Sequence, residues 1–280
     1  MEKILYFVFA AGVSLFFNVS CGGNVNNEIT VISREESSGT RGAFDELIKI
    51  SDGKINMLFR EAIIVSSTDE AAFKTEVDKR AIAYTSIGSV TGKIKTLAVD
   101  GVEANEENVK RGAYKIFRPF VAGVPGSGSS PLARDFISYL VSRQGQKIVV
   151  TAGYIAPNDE ASVYSASGLA GKLTLSGSTS VEKIMERLKE EYVKFNPDVK
   201  VEINYTGSTA GIKDCLSGKS NIVMSSRAFK ADEKEKLEGY AFALDAIAVI
   251  VNKNNPIDEI SSEMVTKIFK GEIRSWSDVK

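Results

Sequence analysis

Residues 33–40 read S-R-E-E-S-S-G-T, and their flanks point to the fold. The apolar run I-T-V-I at 29–32 comes before them. After them, Phe44, Leu47 and Ile48 recur at helical spacing. A strand, a turn rich in hydroxyls and glycine, and then a helix start form an arrangement that suits a small anion. The first N–H groups of a helix have no internal partner, and the helix dipole puts partial positive charge there. Ser37, Ser38 and Thr40 add hydroxyl donors, Gly39 lets the backbone approach a ligand, and Arg34 offers a planar fork matched to an oxyanion. Glu36 is the odd member, because a carboxylate repels an anion unless that anion is protonated and donates to it. Two readings stand at this point: an anion nest, or a capped surface helix beside a solvated charge cluster.

The same grammar recurs along the chain. Runs at 62–65, 81–87, 96–99, 173–175, 199–205 and 221–224 read as strands, and 240–251 is a long apolar run. Helical patterns cover 40–50, 69–80, 105–111, 132–142, 144–150, 181–195, 207–216, 231–237 and 261–269. Residues 114–121 are aromatic-rich and extended. Residues 123–130 read as a flexible glycine–serine linker, with no lysine of a phosphate loop behind it. Residues 158–172, polar and rich in small side chains, connect two halves. A second turn, S-G-S-T-S at 176–180, opens a helix, and S-S-R at 225–227 closes a strand. Asp245 interrupts the apolar run A-F-A-L-D-A-I-A-V-I. It is either solvated at a turn, or it lines a cleft and accepts a hydrogen bond. Strands alternating with helices indicate an α/β fold with largely parallel sheets, where ligands sit beyond the carboxyl ends of strands.

Composition narrows the function. The chain has 280 residues, 43% hydrophobic and 25% charged, with 35 basic against 36 acidic residues; that is enough apolar material for one large or two medium domains. No basic block alternates with aromatics, so no nucleic-acid partner is expected. Histidine is absent, which removes histidine-based nucleophilic catalysis and histidine metal sites. The two cysteines, Cys21 and Cys215, are too few for a metal cluster, and Cys215 lies in a helical pattern as a small hydrophobe. Lys3 and the apolar core at 4–17 form a targeting segment, too short for a comfortable membrane span. N-V-S-C-G-G at 18–23 resembles a bacterial lipoprotein signal, which places a signal at 1–21, lipidation at Cys21 and a tether at 22–27. The alternative is a plain secretory signal with a leftover cysteine.

Taken together, S-R-E-E-S-S-G-T-R-G-A-F (33–44), S-G-S-T-S-V (176–181), S-S-R (225–227), A-L-D-A-I-A-V-I-V-N (243–252) and I-F-K-G-E-I-R-S-W (268–276) resemble the phosphate-binding protein of bacterial ABC phosphate importers. The resemblance implies a two-lobed type II periplasmic-binding-protein fold. Residues 28–113 plus 245–280 would form one lobe and 114–244 the other, with crossings near 114–121 and 246–252. The usual family order begins with the S-G-S-T-S segment. Here that segment comes second, so the chain reads as a circular permutant whose folded start near Asn26 should sit beside Lys280. Carried over residue by residue, Thr179, Ser180, Val181 and Ser226 match phosphate donors. Arg34 matches the charge-pairing arginine, Ser38, Gly39 and Thr40 the donor turn, Asp245 an acidic acceptor, and Glu36 a position where some members carry aspartate. An acidic acceptor would favour hydrogen phosphate over sulfate, which has no proton to donate. The implied protein is a lipid-anchored, extracytoplasmic monomer that delivers inorganic phosphate to a membrane permease, with no cofactor and no catalysis. The alternatives are another oxyanion such as sulfate or molybdate, a phosphate sensor or adhesin without transport, and a phosphoryl-transfer enzyme. The last lacks its Walker lysine and metal-binding acids.

Overall fold

A computed structural model describes residues 27–51, 55–157 and 160–279. The signal at 1–21, Cys21 and all but the last residue of the tether lie outside the described residues, as do Asn26 and Lys280. In chain order the elements are β1 (Thr30–Arg34), α1 (Gly39–Leu47), β2 (Ile63–Val65), α2 (Thr68–Val77), β3 (Ala81–Ser86), β4 (Ile94–Thr96), β5 (Ala98–Val99) and α3 (Glu106–Lys110). Next come β6 (Phe117–Pro125), α4 (Pro131–Leu140), α5 (Arg143–Thr151), β7 (Gly171–Gly177), α6 (Glu182–Phe195), β8 (Val199–Tyr205), α7 (Ser208–Leu216) and β9 (Ile222–Ser225). The chain closes with α8 (Ala231–Lys234), β10 (Leu237–Asn252), β11 (Glu259–Ile260) and α9 (Ser262–Phe269).

One mixed sheet runs β2-β1-β3-β10-β6-β9-β7-β8, and β4 pairs with the end of β10. β1, β2 and β3 are mutually parallel, as are β7, β8 and β9. The largely parallel expectation fails at the centre. There β10 runs antiparallel to β6 over Leu237–Ala246 and antiparallel to β3 over Ile247–Val251. The reason is topological: β6 and β10 carry the chain between the two parallel groups in opposite directions, so they pair as an antiparallel ribbon. β10 can do this because L-E-G-Y-A-F-A-L-D-A-I-A-V-I-V-N is long and apolar, with its second half buried on both faces.

Separate cores lie on either side of this ribbon. One gathers Phe120, Phe136, Leu175, Ile184, Leu188 and Tyr192. Another gathers Phe44, Tyr84, Ile116, Ile247, Val249 and Phe269. Each parallel group therefore has its own apolar interior, with helices supplying one face: α4 and α6 are amphipathic and bury Phe136, Leu140, Ile184 and Leu188. The expected linker at 123–130 is also corrected. Gly123, Val124 and Pro125 continue β6 against Gly239, Glu238 and Leu237 of β10. The absent side chain of Gly123 makes room for the Phe229 ring, so this glycine marks close packing rather than a flexible link. Cys215 is buried in α7, and burial pushes its thiol up to about 11, which fits a small hydrophobe.

Candidate anion-binding site

Three helix starts converge where the two parallel groups meet. α1 begins at Gly39 at the carboxyl end of β1, α6 follows a 3-10 turn at Thr179–Val181 beyond β7, and α7 begins at Ser208 beyond β8. Ser38 caps α1, its Oγ accepting from Arg41 N at 3.3 Å, and it is buried. The capped-helix reading is thus correct in geometry and compatible with a nest: the oxygen accepts within the helix while the hydroxyl hydrogen stays available.

The hydroxyls of the two groups touch directly. Thr40 Oγ1 lies 2.6 Å from Ser180 Oγ, and Arg34 Nη2 donates to Thr179 Oγ1 at 3.1 Å. Ser178 Oγ donates to Ser226 Oγ at 2.8 Å, and Ser226 N donates to Ser208 Oγ at 3.1 Å. Gly39 packs so tightly that a Cβ there would run into the Oγ atoms of both Ser208 and Ser226. A backbone bond, Thr209 N to Ser37 O at 3.2 Å, also crosses between the groups. Val181 is fully buried, with its side chain in the core and its backbone at the start of α6.

Arg34 is held from behind. Its N–H donates to Tyr84 Oη at 3.1 Å, and its carbonyl accepts from Arg41 Nη1 at 3.0 Å. The Tyr84 ring stacks on Phe44 with centroids 3.9 Å apart. Arg41 also pairs with Asp45 at 3.4 Å, and burial raises the Asp45 carboxyl to about 6 against the pull of Arg41.

Two expected acids are placed otherwise. Glu36 is exposed, and the carboxylate that meets the arginine is that of its neighbour Glu35: Arg34 Nε donates to Glu35 Oε2 and Nη2 to Oε1, both at 2.9 Å. The chain turns after Glu35, with Ser38 N donating to Glu35 O, and this carries Glu36 outward. Asp245 is completely buried and presents no free acceptor. Its Oδ1 accepts from Ser86 Oγ at 2.7 Å and Ile87 N at 3.2 Å, and its Oδ2 accepts from Arg118 Nε at 3.1 Å and Nη2 at 2.9 Å. The cause is register: Asp245 on β10 stands opposite Arg118 on β6. Burial pushes this carboxyl up and the Arg118 guanidinium down, while their mutual attraction opposes both.

A family model described as the PBP superfamily domain matches residues 14–144 and 162–280. The chain is 39% identical to the phosphate-binding protein PstS 2 of Streptococcus pneumoniae serotype 4, over 97% of both chains. It belongs to the PBP superfamily, in the family of the phosphate-binding protein PstS. A crystal structure of the phosphate-binding protein of a phosphate ABC transporter from Streptococcus pneumoniae TIGR4 superposes with a TM-score of 0.74 at 39% identity, over 90% of this chain and 100% of that one. The phosphate-binding protein PstS of Staphylococcus haemolyticus is 33% identical over only 119 residues, 40% of this chain and 38% of that protein.

Within the family fold, four groups at or beside this site escaped the sequence reading: Glu35, Ser178, Ser208 and Arg118. Ser208 carried a usable signal, since G-S-T at 207–209 repeats the hydroxyl-at-helix-start pattern after a strand. Arg118 had none, because its partner lies 127 positions away.

Proposed function

We propose that this protein is an extracytoplasmic solute-binding protein, not an enzyme, that captures inorganic phosphate between two lobes and delivers it to an ABC permease. The observation that carries the reading is the meeting of Arg34, Thr40 and the Gly39 turn with Thr179, Ser180, Ser208 and Ser226 from the other parallel group. Three helix starts and a set of buried hydroxyls there make a donor-rich environment for a tetrahedral oxyanion. The names of the full-length relatives agree with phosphate as the ligand. Calorimetric titration with phosphate, arsenate and sulfate tests it, and absence of heat with phosphate would defeat it.

One observation keeps a broader oxyanion reading alive. Asp245 is saturated by Ser86, Ile87 and Arg118, and Glu36 is exposed, so neither supplies the acceptor on which rejection of sulfate was expected to rest. Comparable affinity for sulfate would decide for that reading.

The lobes we assign are residues 28–113 plus 245–280, and 114–244; the separate cores flanking the β6–β10 ribbon support two lobes, although Tyr114, Ile116 and Ile155 pack into the core of the first. Circular permutation is part of the proposal. Glu28 forms an antiparallel bridge with Ser275, and Ile29 N donates to Arg274 O at 2.7 Å, so the two ends of the folded part lie side by side. Collinear similarity to the staphylococcal relative also stops at well under half of either chain. Joining the ends and reopening the chain within 158–172 should give a protein that still binds phosphate; loss of folding would count against the permutation. Anchoring through an acylated Cys21, and a monomeric state, complete the proposal. Cys21→Ala should release the protein from membranes, and retention there would refute the anchor.

A further inference from the structure

The Arg118–Asp245 pair is the most deeply buried ion pair among the described residues, with side chains 1% and 0% exposed. Nothing in the phosphate reading so far uses it. It lies on the ribbon between the lobes. From the 114–244 lobe Arg118 reaches Asp245, and Asp245 is tied to Ser86 and Ile87 of the other lobe. Arg118 uses Nε and Nη2 on Asp245, but its Nη1 is buried and meets no acceptor among the described residues. Arg34 shows the same pattern: Nε and Nη2 are engaged by Glu35, Ser66 and Thr179, while Nη1 is buried without an acceptor.

Two fully buried guanidinium groups, each with one idle donor, belong to the carboxyl ends of neighbouring parallel strands: Arg34 ends β1, and Arg118 is held by Asp245, which is bonded to Ser86 at the end of β3. An unused N–H of a buried charged group carries a desolvation cost that a buried acceptor removes. Each guanidinium already faces its own carboxylate, so what is left over is an idle N–H on each rather than surplus charge. A single oxyanion with several acceptor oxygens can accept from both.

We infer that Arg118 is a second anion-binding arginine of the phosphate site, and that Asp245 is a positioning residue that orients it. The inference rests on the phosphate reading and extends it. It also accounts for the acid in the apolar run, since Asp245 takes Nε and Nη2 of Arg118 and leaves Nη1 as the donor for the anion.

The test uses the mature full chain, inorganic phosphate, calorimetry and thermal melts with and without phosphate. The double variant Arg118→Gln/Asp245→Asn keeps the pair uncharged and hydrogen-bonded, so net charge near the site is unchanged while the charged donor is lost. Its phosphate affinity should fall about tenfold to a hundredfold. Asp245→Asn alone leaves the arginine charged but loosens its fork, and should weaken phosphate binding with the phosphate-to-sulfate ratio unchanged. Arg118→Lys keeps the ion pair but loses the fork, and should lose affinity while melting near wild type without ligand. If the double variant does not fold, Arg118→Lys alone decides the matter. A double variant or lysine variant within about threefold of wild type would overturn the inference. So would a relaxed phosphate-to-sulfate ratio in Asp245→Asn, because that would put Asp245 itself on the anion. Failure of the wild type to bind phosphate overturns the functional reading and this inference together.

Discussion

Gly39→Ala separates binding from stability, because the same methyl group acts with opposite sign on the two. With the lobes together, an alanine Cβ would meet Ser208 Oγ, would lie 2.7 Å from Ser226 Oγ and would lie 2.9 Å from Ser208 Cβ. Ser208 and Ser226 are fully buried and bonded to one another and to Ser178, so none of these atoms is a free end that can swing away. Overpacking of this kind costs about 1–3 kcal/mol where the surroundings can shift, and here two elements must shift at once. Since about 1.4 kcal/mol is a factor of ten, phosphate affinity should drop about tenfold to a hundredfold or more. With the lobes apart the clash disappears, and alanine in the first turn of α1 is favoured over glycine by up to about 1 kcal/mol. The ligand-free protein should therefore melt at or slightly above the wild-type temperature, while its phosphate-induced rise in melting temperature shrinks. Titration calorimetry and paired melts read both quantities. Wild-type affinity in Gly39→Ala would refute the assignment of this turn to the closing surface; an equal loss of stability without ligand would mean that the lobes do not separate.

Other outcomes follow from single groups. Asp45 titrates at about 6 in the folded protein against 3.8 as a free group, so its contribution is fully present below 3.8 and is lost as pH rises through about 6. The difference of about 2 amounts to about 3 kcal/mol, and urea unfolding between about pH 4 and pH 7 should show wild type losing that much relative to Asp45→Asn; parallel profiles would contradict it. Lys183 reaches Asp69 at 3.0 Å from α6 to α2, half-exposed on both sides. Lys183→Ala should weaken phosphate binding by no more than about threefold, with the difference gone in about 1 M salt, and a larger or salt-insensitive effect would show that the pair is not a rim contact. Thr40→Val removes the hydroxyl that meets Ser180 and should lower the phosphate-to-sulfate affinity ratio, and an unchanged ratio would remove this pair from the account of selectivity.

What was legible in the sequence is what local patterns encode. The strand at 199–205 has the bounds its alternation predicts, and the apolar positions Ile184, Met185, Leu188 and Tyr192 face the core as their spacing requires. The two hydroxyl turns at 33–40 and 176–180 were recognisable because helix starts carry their chemistry in adjacent residues. Long-range pairing was not legible. Whether Asp245 faces a ligand or an arginine depends on β6 lying in register beside β10, which no neighbouring residue announces. The choice between Glu35 and Glu36 depends on where one turn closes, and two adjacent carboxylates look alike until it does.

Both buried arginines bring their own carboxylate, Glu35 for Arg34 and Asp245 for Arg118, so the four side chains sum to no net charge before any anion enters. The lobes can therefore meet without a large electrostatic penalty, and a dianion must be held by oriented donors rather than by surplus positive charge. Donors alone do not separate phosphate from sulfate, because both offer acceptor oxygens. Separation needs an acceptor for the one proton that hydrogen phosphate carries, and the carboxylates are occupied. Hydroxyl oxygens are the remaining side-chain choice. Ser38 Oγ has given one of its two lone pairs to Arg41 N, and Ser178 Oγ one to Ser180 N. Thr40 and Ser180 share one hydrogen bond between two hydroxyls, so one of the two oxygens donates and retains open lone pairs. On the proposed two-lobe reading that pair would form only when the lobes come together. Selectivity and closure would then be one event, and the ratio measured in Thr40→Val would read both.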